Sequence, residues 1–523
     1  MKRICSAIIM AILALFFQNA LCSEAATHKE SLQKAQAILD NASVNVINSK
    51  FYPSYHIAPP ANFMNSPSGF VYFNNQYHLF FTHNPYSVKD ENMHWGHYVS
   101  SDLIHWSEMP VALAPSESYD KDGILSGSAI VDEGMLYLLY TGNVVNKTEE
   151  KTERHQTQNL AMSKDGINFA KSANNAVIKM APHYSYLEFS SHDFRDPFVW
   201  KQSDRYYALV GTQYEKTKDG AVLLFKSKDL RNWVCINITA IGSKSEMGYM
   251  WESPGFLHIG SDDVLFISPQ GIKPHGKQFL NKYQSGWFVG NLDYNTGKFK
   301  QKGPFGLFDY GFDFYAPRVE KTQDNRHVLI GLLGMSGSKL TESEDGWAGM
   351  MSIPRELKIL NGKVSTVPLP ELKALREHTV AYKDQKVSTA REFPSINGKV
   401  FELETEADLT NAKTFSISIR TSPSQETILS YDKDSKLLKL NRDKSGRDLS
   451  GEREVVVPLN NNLLKLHIFA DKSSVEIFAN DGQVVMSSRI YPDKHSTGIK
   501  FSAVGEVKLN YLNFYKLKSI YND

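Results

Sequence analysis

The sequence has little cysteine, no long apolar run and no excess of one charge. Its 523 residues include three cysteines, and Cys5 and Cys22 fall within the first 23 positions. If that segment is cleaved, only Cys235 remains, which excludes an intramolecular disulfide in the mature chain. The formal net charge is +1, without a long run of one sign. This balance argues against a nucleic-acid partner and against an anionic membrane surface.

The most apolar stretch lies at the N-terminus, over residues 4–17, directly behind Lys2 and Arg3. It is shorter than the roughly 20 residues that a membrane span needs. With small residues around Leu21, this layout predicts a secretory signal peptide over residues 1–23 and a secreted, extracellular protein. Three tripeptides match the N-glycosylation pattern, at Asn41, Asn146 and Asn237.

Three sequence elements recur in the same order between residues 51 and 365. Five strongly β-forming segments stand out: Tyr77–His83, Leu136–Gly142, Tyr206–Thr212, Val264–Gln270 and Val328–Gly334. A short motif precedes each of them: Asn65-Ser66-Pro67, Ser126-Gly127-Ser128, Arg195-Asp196-Pro197, Glu252-Ser253-Pro254 and Tyr315-Ala316-Pro317. A polar turn follows three of them, at residues 101–106, 163–169 and 227–233. Five copies predict a five-bladed β-propeller, whereas a sandwich with similar hairpins is the alternative.

The rest of the chain differs from the repeats. Short alternating segments separated by tight turns predict a β-sandwich over residues 395–523, with residues 366–394 as a linker. Residues 24–50 form an N-terminal extension that we expect to be partly helical. Its apolar residues fall on one helical face, at Leu32, Ala35, Ile38 and Leu39. The predicted fold class is therefore all-β, a propeller followed by a sandwich.

In a propeller, equivalent points of the blades lie at the same height around the central axis. The five motifs should therefore converge, which places Ser66, Arg195, Asp196 and Glu252 in one pocket. A pair of carboxylates facing a sugar is the machinery of glycoside hydrolysis. The alternative is that Arg195 and Asp196 form only a structural ion pair. The occurrence of Glu252 at the equivalent blade position favours the site.

Other constellations are weaker. His94 and His97 are too close in sequence for a pair of helical metal ligands, and we expect core or rim histidines. The segment that begins at Asp432 lacks the glycine and glutamate of a calcium loop. We therefore predict no metal and no cofactor. The predicted partner is a small-molecule sugar, and the oligomeric state is left open.

The sequence resembles glycoside hydrolase family 32, the β-fructofuranosidases (invertases, inulinases and levanases), over nearly the whole mature chain. The motifs that carry the resemblance are Met93-His94-Trp95-Gly96-His97, Ser100-Ser101-Asp102-Leu103, Leu125-Ser126-Gly127-Ser128-Ala129, Phe194-Arg195-Asp196-Pro197, Met250-Trp251-Glu252-Ser253-Pro254, Asp313-Phe314-Tyr315-Ala316-Pro317, Gly346-Trp347-Ala348-Gly349 and residues 474–482. The resemblance implies the same propeller and sandwich.

By this resemblance Glu252 matches the general acid/base and Asp196 the carboxylate that stabilises the transition state. The family's nucleophile is the aspartate of an Asn-Asp-Pro-Asn-Gly motif, and Ser66 stands at that position. The resemblance also implies that substrate is bound by Asn65, Thr82, Trp95, Ser126, Arg195 and Tyr315.

The substitution at Ser66 is accompanied by others. The family usually has glutamine, phenylalanine, cysteine, aspartate and tryptophan where this chain has Thr82, Leu125, Ser253, Gly255 and Leu332. Several changes around one pocket indicate relaxed constraint on catalysis.

The resemblance and the substitution leave three hypotheses for function. A hydroxyl is a weak nucleophile without a base, and it lacks the charge that stabilises an oxocarbenium-like transition state. The leading hypothesis is a secreted protein that binds a fructoside such as sucrose and hydrolyses it poorly or not at all. An active β-fructofuranosidase with a substitute carboxylate is the second. A protein-binding propeller without a sugar role is the third.

Overall fold

The computed structural model describes residues 27–148, 151–182 and 188–521. The predicted signal peptide, residues 1–23, lies outside them. Within the described residues, no helix combines the length and the apolar composition that a membrane crossing requires.

Helix α1 covers residues 27–43 and packs its apolar face against the first blade. Ala35 and Leu39 are buried in a cluster that includes Phe51 and Trp347. A second short helix, α2, covers Lys244–Met247, and 3-10 turns cover Val46–Asn48, Thr341–Asp345 and Pro370–Leu375. A helix therefore lies within residues 24–50 as predicted, and of its predicted face Ala35 and Leu39 are buried whereas Leu32 and Ile38 are partly exposed.

In the part of the chain that the structure describes, five sheets of at least four strands follow α1 as propeller blades, and they are antiparallel except where β20 pairs with β1. The first two contain β1 (Asn62–Phe73), β2 (Gln76–Asn84), β3 (His94–Ser100), β4 (Ser107–Leu113), and then β5 (Ile124–Asp132), β6 (Met135–Lys147), β7 (Thr152–Ser163), β8 (Ala170–Lys171). The third and fourth contain β9 (Phe189–Gln202), β10 (Arg205–Tyr214), β11 (Asp219–Ser227), β12 (Trp233–Gly242), and then β13 (Met250–Ile259), β14 (Asp262–Gln270), β15 (Gly286–Asp293), β16 (Lys298–Gln301), β17 (Gly306–Leu307). The fifth contains β18 (Tyr315–Lys321), β19 (His327–Leu332), β21 (Arg355–Leu360), β22 (Lys363–Pro368), and β20 (Trp347–Ala348) pairs with the first.

The five-bladed propeller is confirmed. The predicted motifs lie in the first strand of each blade, and the predicted segments overlap its second strand. The ring is closed by β20, which pairs in parallel with β1 through Asn62 opposite Trp347. Closure of this kind leaves the inner strands of all five blades facing one axis.

Up to residue 521, where the described residues end, nine strands form the C-terminal domain. They are β23 (Arg376–Val387), β24 (Phe401–Thr421), β25 (Glu426–Asp432), β26 (Leu437–Lys444), β27 (Glu452–Val456), β28 (Leu463–Ala470), β29 (Ser474–Ala479), β30 (Val484–Arg489) and β31 (Gly498–Leu517). Long, bulged strands β24 and β31 run through both layers, so the sheet folds over itself around an apolar core. This confirms the predicted β-sandwich class.

The prediction of a linker over residues 366–394 is wrong. This segment holds the end of β22 and all of β23, which pairs with β31 from Arg376 opposite Leu517 to Val387 opposite Val507. The strand was missed because its residues are mostly polar and only Val387 is buried. Several of the short alternating segments merge, because β24 runs as a single strand from Phe401 to Thr421.

A buried ionic cluster joins the two domains. His56, ahead of the first blade, lies 2.8 Å from Asp471 and 3.0 Å from Glu476 of the sandwich. Arg355 of the fifth blade also contacts Glu476 and lies 3.1 Å from Asp309. Burial opposes a charge on His56, but hydrogen bonds to both carboxylates outweigh it and raise its pKa to about 9.

Candidate active site

The motif residues turn towards the axis because the inner strands are irregular at these points. The pairing register shifts between Met64 and Gly69 in the first blade and between Glu252 and Gly255 in the fourth. Asp196, which precedes a proline, adopts a positive φ of 64°. Bulges and left-handed residues re-aim side chains, and here they direct them into the central cavity.

A cavity of about 570 Å³ opens at this end of the propeller. Eight of the nine predicted site residues line it: Asn65, Ser66, Thr82, Ser126, Arg195, Asp196, Glu252 and Tyr315. They come from all five blades, as the repeat predicted. Trp95 is the exception, because its side chain is fully buried in the first blade and its indole N–H donates to the carbonyl of Leu125. Trp95 therefore supports the lining residue Leu125 instead of facing the cavity.

Glu252 is held on both oxygens. Arg195 donates to Oε1 through Nη2 at 2.8 Å and through Nε at 3.0 Å. Tyr315 donates its hydroxyl to Oε2. The remaining Arg195 contact is an ion pair with Asp193 at 2.5 Å. The guanidinium thus fixes one carboxylate at the mouth and one in the cavity, which is a positioning role.

Asp196 lies deeper and is 4% exposed. Its Oδ2 accepts a hydrogen bond from the backbone N–H of Ser253 at 3.0 Å. Burial, followed by the negative charge of Glu252, raises the pKa of Asp196 to about 6, although Arg195 and Arg318 oppose the shift. Two carboxylates from neighbouring blades therefore interact across a small volume, as an acid and a charge-stabilising group would.

Ser66 lines the same cavity as this pair. Its hydroxyl is 3.1 Å from the hydroxyl of Ser126, and its backbone N–H donates to the side-chain oxygen of Asn65 at 2.8 Å. Among the described residues, these contacts include no carboxylate, lysine or histidine that could take the hydroxyl proton. The Ser66 hydroxyl therefore has no general base in direct contact.

Arg318 lies close enough to Asp196 to lower the pKa of that group, and it was not recognised in the sequence. It extends from β18, and its Nε donates to the carbonyls of Ser68 at 3.2 Å and Gly127 at 2.9 Å, and its Nη1 to that of Ser253 at 3.2 Å. The side chain is buried and connects four blades. No pattern marks it, because it lies one residue beyond the Tyr315-Ala316-Pro317 motif.

Asp90 was also missed. It lies on the loop between β2 and β3, where it is exposed to the cavity that it lines and lies near the side chain of Asn65. Desolvation by the walls of the cavity, followed by the charge of Glu252, raises the pKa of Asp90 above its ordinary value. The loop carries no recurring motif, so the repeats gave no reason to select it.

A larger cavity, of about 890 Å³, lies between α1 and the outer parts of the first two blades. Its lining includes one acidic residue, Glu117. Since glycoside hydrolysis requires two carboxylates, the axial cavity is the better candidate. In the sandwich, Glu402, Glu404 and His467 lie close enough to share a cation, but Arg376 already contacts both glutamates.

Comparisons with known proteins agree with this geometry. A model described as "Glycosyl hydrolases family 32 N-terminal domain" matches residues 56–368, and one described as "Glycosyl hydrolases family 32 C terminal" matches residues 371–516. A sucrose-6-phosphate hydrolase from Zymomonas mobilis is 35% identical over 89% of this chain and 92% of its own. Raffinose invertase from Escherichia coli is 36% identical over 91% of this chain and 96% of its own length. A structure of a mutant Bombyx mori GH32 beta-fructofuranosidase in complex with sucrose is 33% identical in sequence and has a TM-score of 0.81. The match covers 94% of this chain and 99% of the silkworm chain.

Proposed function

Because the chain belongs to glycosyl hydrolase family 32, we propose that it binds β-fructofuranosides such as sucrose, and that its hydrolysis of them is absent or severely reduced. The observation that carries this proposal is the composition of the axial cavity. Its lining includes the carboxylates of Asp196 and Glu252 and, at the position that the resemblance assigns to the nucleophile, the hydroxyl of Ser66. The sucrose complex of the similar silkworm enzyme supports a sugar ligand.

In this proposal Glu252 donates a proton to the leaving glycosidic oxygen, and Asp196 binds fructosyl hydroxyls and stabilises the positive charge that develops on the ring. Asn65, Thr82 and Ser126 supply hydrogen-bonding groups around the fructosyl unit. Arg195 and Tyr315 act on Glu252 by fixing its orientation. These parts preserve binding but not the covalent intermediate of a retaining glycosidase.

The cost of Ser66 is large in kinetic terms. Its hydroxyl has no base in contact and no charge to place opposite the oxocarbenium-like centre. Removing a nucleophile as part of a catalytic unit lowers kcat by a factor on the order of 10⁴–10⁶. We therefore expect a sucrose-binding protein with a residual rate that is measurable only at high protein concentration.

Secretion and glycosylation are part of the same proposal. They are supported by the basic and apolar N-terminal segment. Asn41 and Asn146 are exposed, whereas the Asn237 amide donates to the carbonyl of Thr296. Glycans are therefore expected on the first two positions.

The test is sucrose titration by calorimetry, together with release of free fructose from sucrose and from a short fructan. The protein is compared with Ser66→Asp, which restores a carboxylate, and with Ser126→Asp as a matched control. The control places the same charge on the hydroxyl partner 3.1 Å away. Ser66→Asp is expected to gain at least about 100-fold in hydrolysis, since a nucleophile is restored, and Ser126→Asp is not.

Binding by the natural protein without fast turnover, and a gain in Ser66→Asp alone, would support the proposal. Turnover by the natural protein at rates usual for the family would contradict the loss of hydrolysis. Failure of the natural protein and of Ser66→Asp to bind sucrose would contradict the sugar site itself.

A further inference from the structure

The axial cavity contains a carboxylate that the motifs of the family do not assign. Asp90 lies on the loop that connects β2 to β3, directly beside the residues of the nucleophile motif. The loop is anchored, because the buried amide of Asn84 donates to the carbonyl of Lys89 and to the hydroxyl of Ser87, each at 3.0 Å. The position of Asp90 is therefore set by contacts within its own loop.

Asp90 is connected to Ser66 through one residue. The Asn65 side chain lies close enough to Asp90 to lower its pKa, and its oxygen accepts the backbone N–H of Ser66 at 2.8 Å. The carboxylate also interacts electrostatically with Glu252 across the cavity. Asp90 and Glu252 therefore line the same cavity as Ser66, whose side chain is shorter than the aspartate of the family.

An inverting glycosidase needs such an arrangement. One carboxylic acid protonates the leaving oxygen, and a second carboxylate activates a water on the other face of the sugar. The two groups must be far enough apart to leave room for that water. A serine in place of an aspartate vacates space on the face where the water must stand.

Resting on the function proposed above, we infer that Asp90 is the general base of the residual hydrolysis, which proceeds by direct attack of water with inversion. Asp90 accepts a proton from the water as its oxygen bonds to C2 of the fructosyl unit. The bond from C2 to the glycosidic oxygen breaks, and that oxygen takes the proton of Glu252. Free fructose and glucose leave, and the proton on Asp90 returns to Glu252 through solvent.

Asp90 is exposed to the solvent of the cavity, and the groups around it raise its pKa. A carboxylate with a raised pKa is a stronger base at neutral pH than an ordinary surface aspartate. Asp196 is less suited, because its Oδ2 already accepts the N–H of Ser253 and its position suits the fructosyl hydroxyls.

The test measures residual sucrose hydrolysis at high concentrations of the full chain. The variants are Asp90→Asn and, as a matched control, Glu91→Gln, which removes an equal charge from the next residue of the same loop. A general base contributes about 10²–10⁴-fold, so Asp90→Asn is expected to lower the residual rate at least about 100-fold. Glu91→Gln should retain it within about threefold, because Glu91 is exposed in the same cavity as Asp90, and Asn65, the neighbour of Ser66, lies near Asp90. Sucrose titration of each variant shows whether it still binds the sugar, and thermal unfolding shows whether it is still folded. A lower rate in a variant that passes both tests is a loss of catalysis.

Stereochemistry provides a second readout. In water–methanol mixtures methanol competes as the attacking group, and methyl fructofuranosides keep their configuration after release. The natural protein is expected to give the methyl α-fructofuranoside, by inversion, whereas Ser66→Asp should give the β anomer, by retention. In the Ser66→Asp background, adding Asp90→Asn should cost far less than it does in the natural protein.

Three results would overturn the assignment of Asp90: an unchanged rate in Asp90→Asn, a methyl β-fructofuranoside from the natural protein, or binding without hydrolysis above the uncatalysed rate. Each of them leaves the proposed sugar-binding function intact. Absence of sucrose binding by the natural protein would instead overturn the proposed function, and the base with it.

Discussion

Arg195 donates two hydrogen bonds to one oxygen of Glu252, at 2.8 and 3.0 Å, while its third contact is an ion pair with Asp193. The guanidinium therefore compensates two carboxylates at once, and it lies close enough to Asp196 to lower the pKa of that group as well. The positive charge of Arg195 therefore stabilises the ionised forms of three neighbouring carboxylates, Asp193, Asp196 and Glu252.

The first prediction follows from this contact. Arg195→Leu leaves Glu252 and Asp193 without their partner, and breaking a buried pair typically costs about 3–5 kcal/mol in the free energy of unfolding. Sucrose affinity should fall too, because Glu252 loses its orientation. Urea unfolding and calorimetric titration measure the two effects. Arg154→Leu is the control, since Arg154 lines the same cavity but is exposed, and it should cost less than about 1 kcal/mol. Equal losses in both variants would contradict the special position of Arg195.

The second prediction concerns pH and Asp196. Its pKa of about 6 in the folded protein lies above the ordinary 3.8, so the folded state holds the proton more tightly than the unfolded state. The free energy of unfolding should therefore decrease as pH rises from about 4 to 6, by as much as about 3 kcal/mol from this group. Urea unfolding across this range, compared with Asp196→Asn, isolates the contribution. The variant should lose less stability over the same pH interval. If the free energies of unfolding of the two proteins changed in parallel with pH, the raised pKa of Asp196 would be contradicted.

The repeats predicted the convergence of Ser66, Arg195 and Glu252 because a propeller converts equal positions in the blades into one ring. The same reasoning failed for Asp90 and Arg318. Asp90 lies on a loop that occurs once, and the length of the Arg318 side chain, which the pattern does not encode, brings it to a carbonyl of the second blade. Trp95 shows the opposite error: the motif is real, but its ring packs inside the first blade.

The strand boundaries of the sandwich were also hard to predict, because they depend on backbone pairing that the residue pattern does not mark. The β23 segment is polar on both sides, and backbone pairing with β31 forms it without a buried face to mark it. Bulges in β24 join two short apolar runs into one strand, because the register shift keeps both runs on the core side.

The third prediction concerns the buried histidine between the domains. His56 has a folded pKa of about 9, above its ordinary 6.5, so its charged form stabilises the folded state below pH 6.5. This stability, on the order of 3 kcal/mol, should be lost as pH rises from 6.5 through 9. Urea unfolding between pH 6 and pH 9 measures the loss. His56→Gln should remove this dependence and lower stability at pH 6, whereas His105→Gln, at an exposed histidine, should retain it. A loss of equal size in His56→Gln would exclude His56 as its source.

The fourth prediction separates the missing nucleophile from the proposed base. Azide is a small anion that attacks carbon without giving up a proton, so it needs no general base. If the space beside Ser66 is open, azide should occupy it and attack C2, and sucrose should be converted to α-fructosyl azide at least about tenfold faster than it is hydrolysed. Asp90→Asn should respond to azide at least as well as the natural protein, because the variant lacks only proton transfer and a negative charge near the anion. Ser66→Asp should respond little, since its carboxylate fills the space. Rescue that depends on Asp90 would contradict its role as a base, because azide has no proton for it to accept.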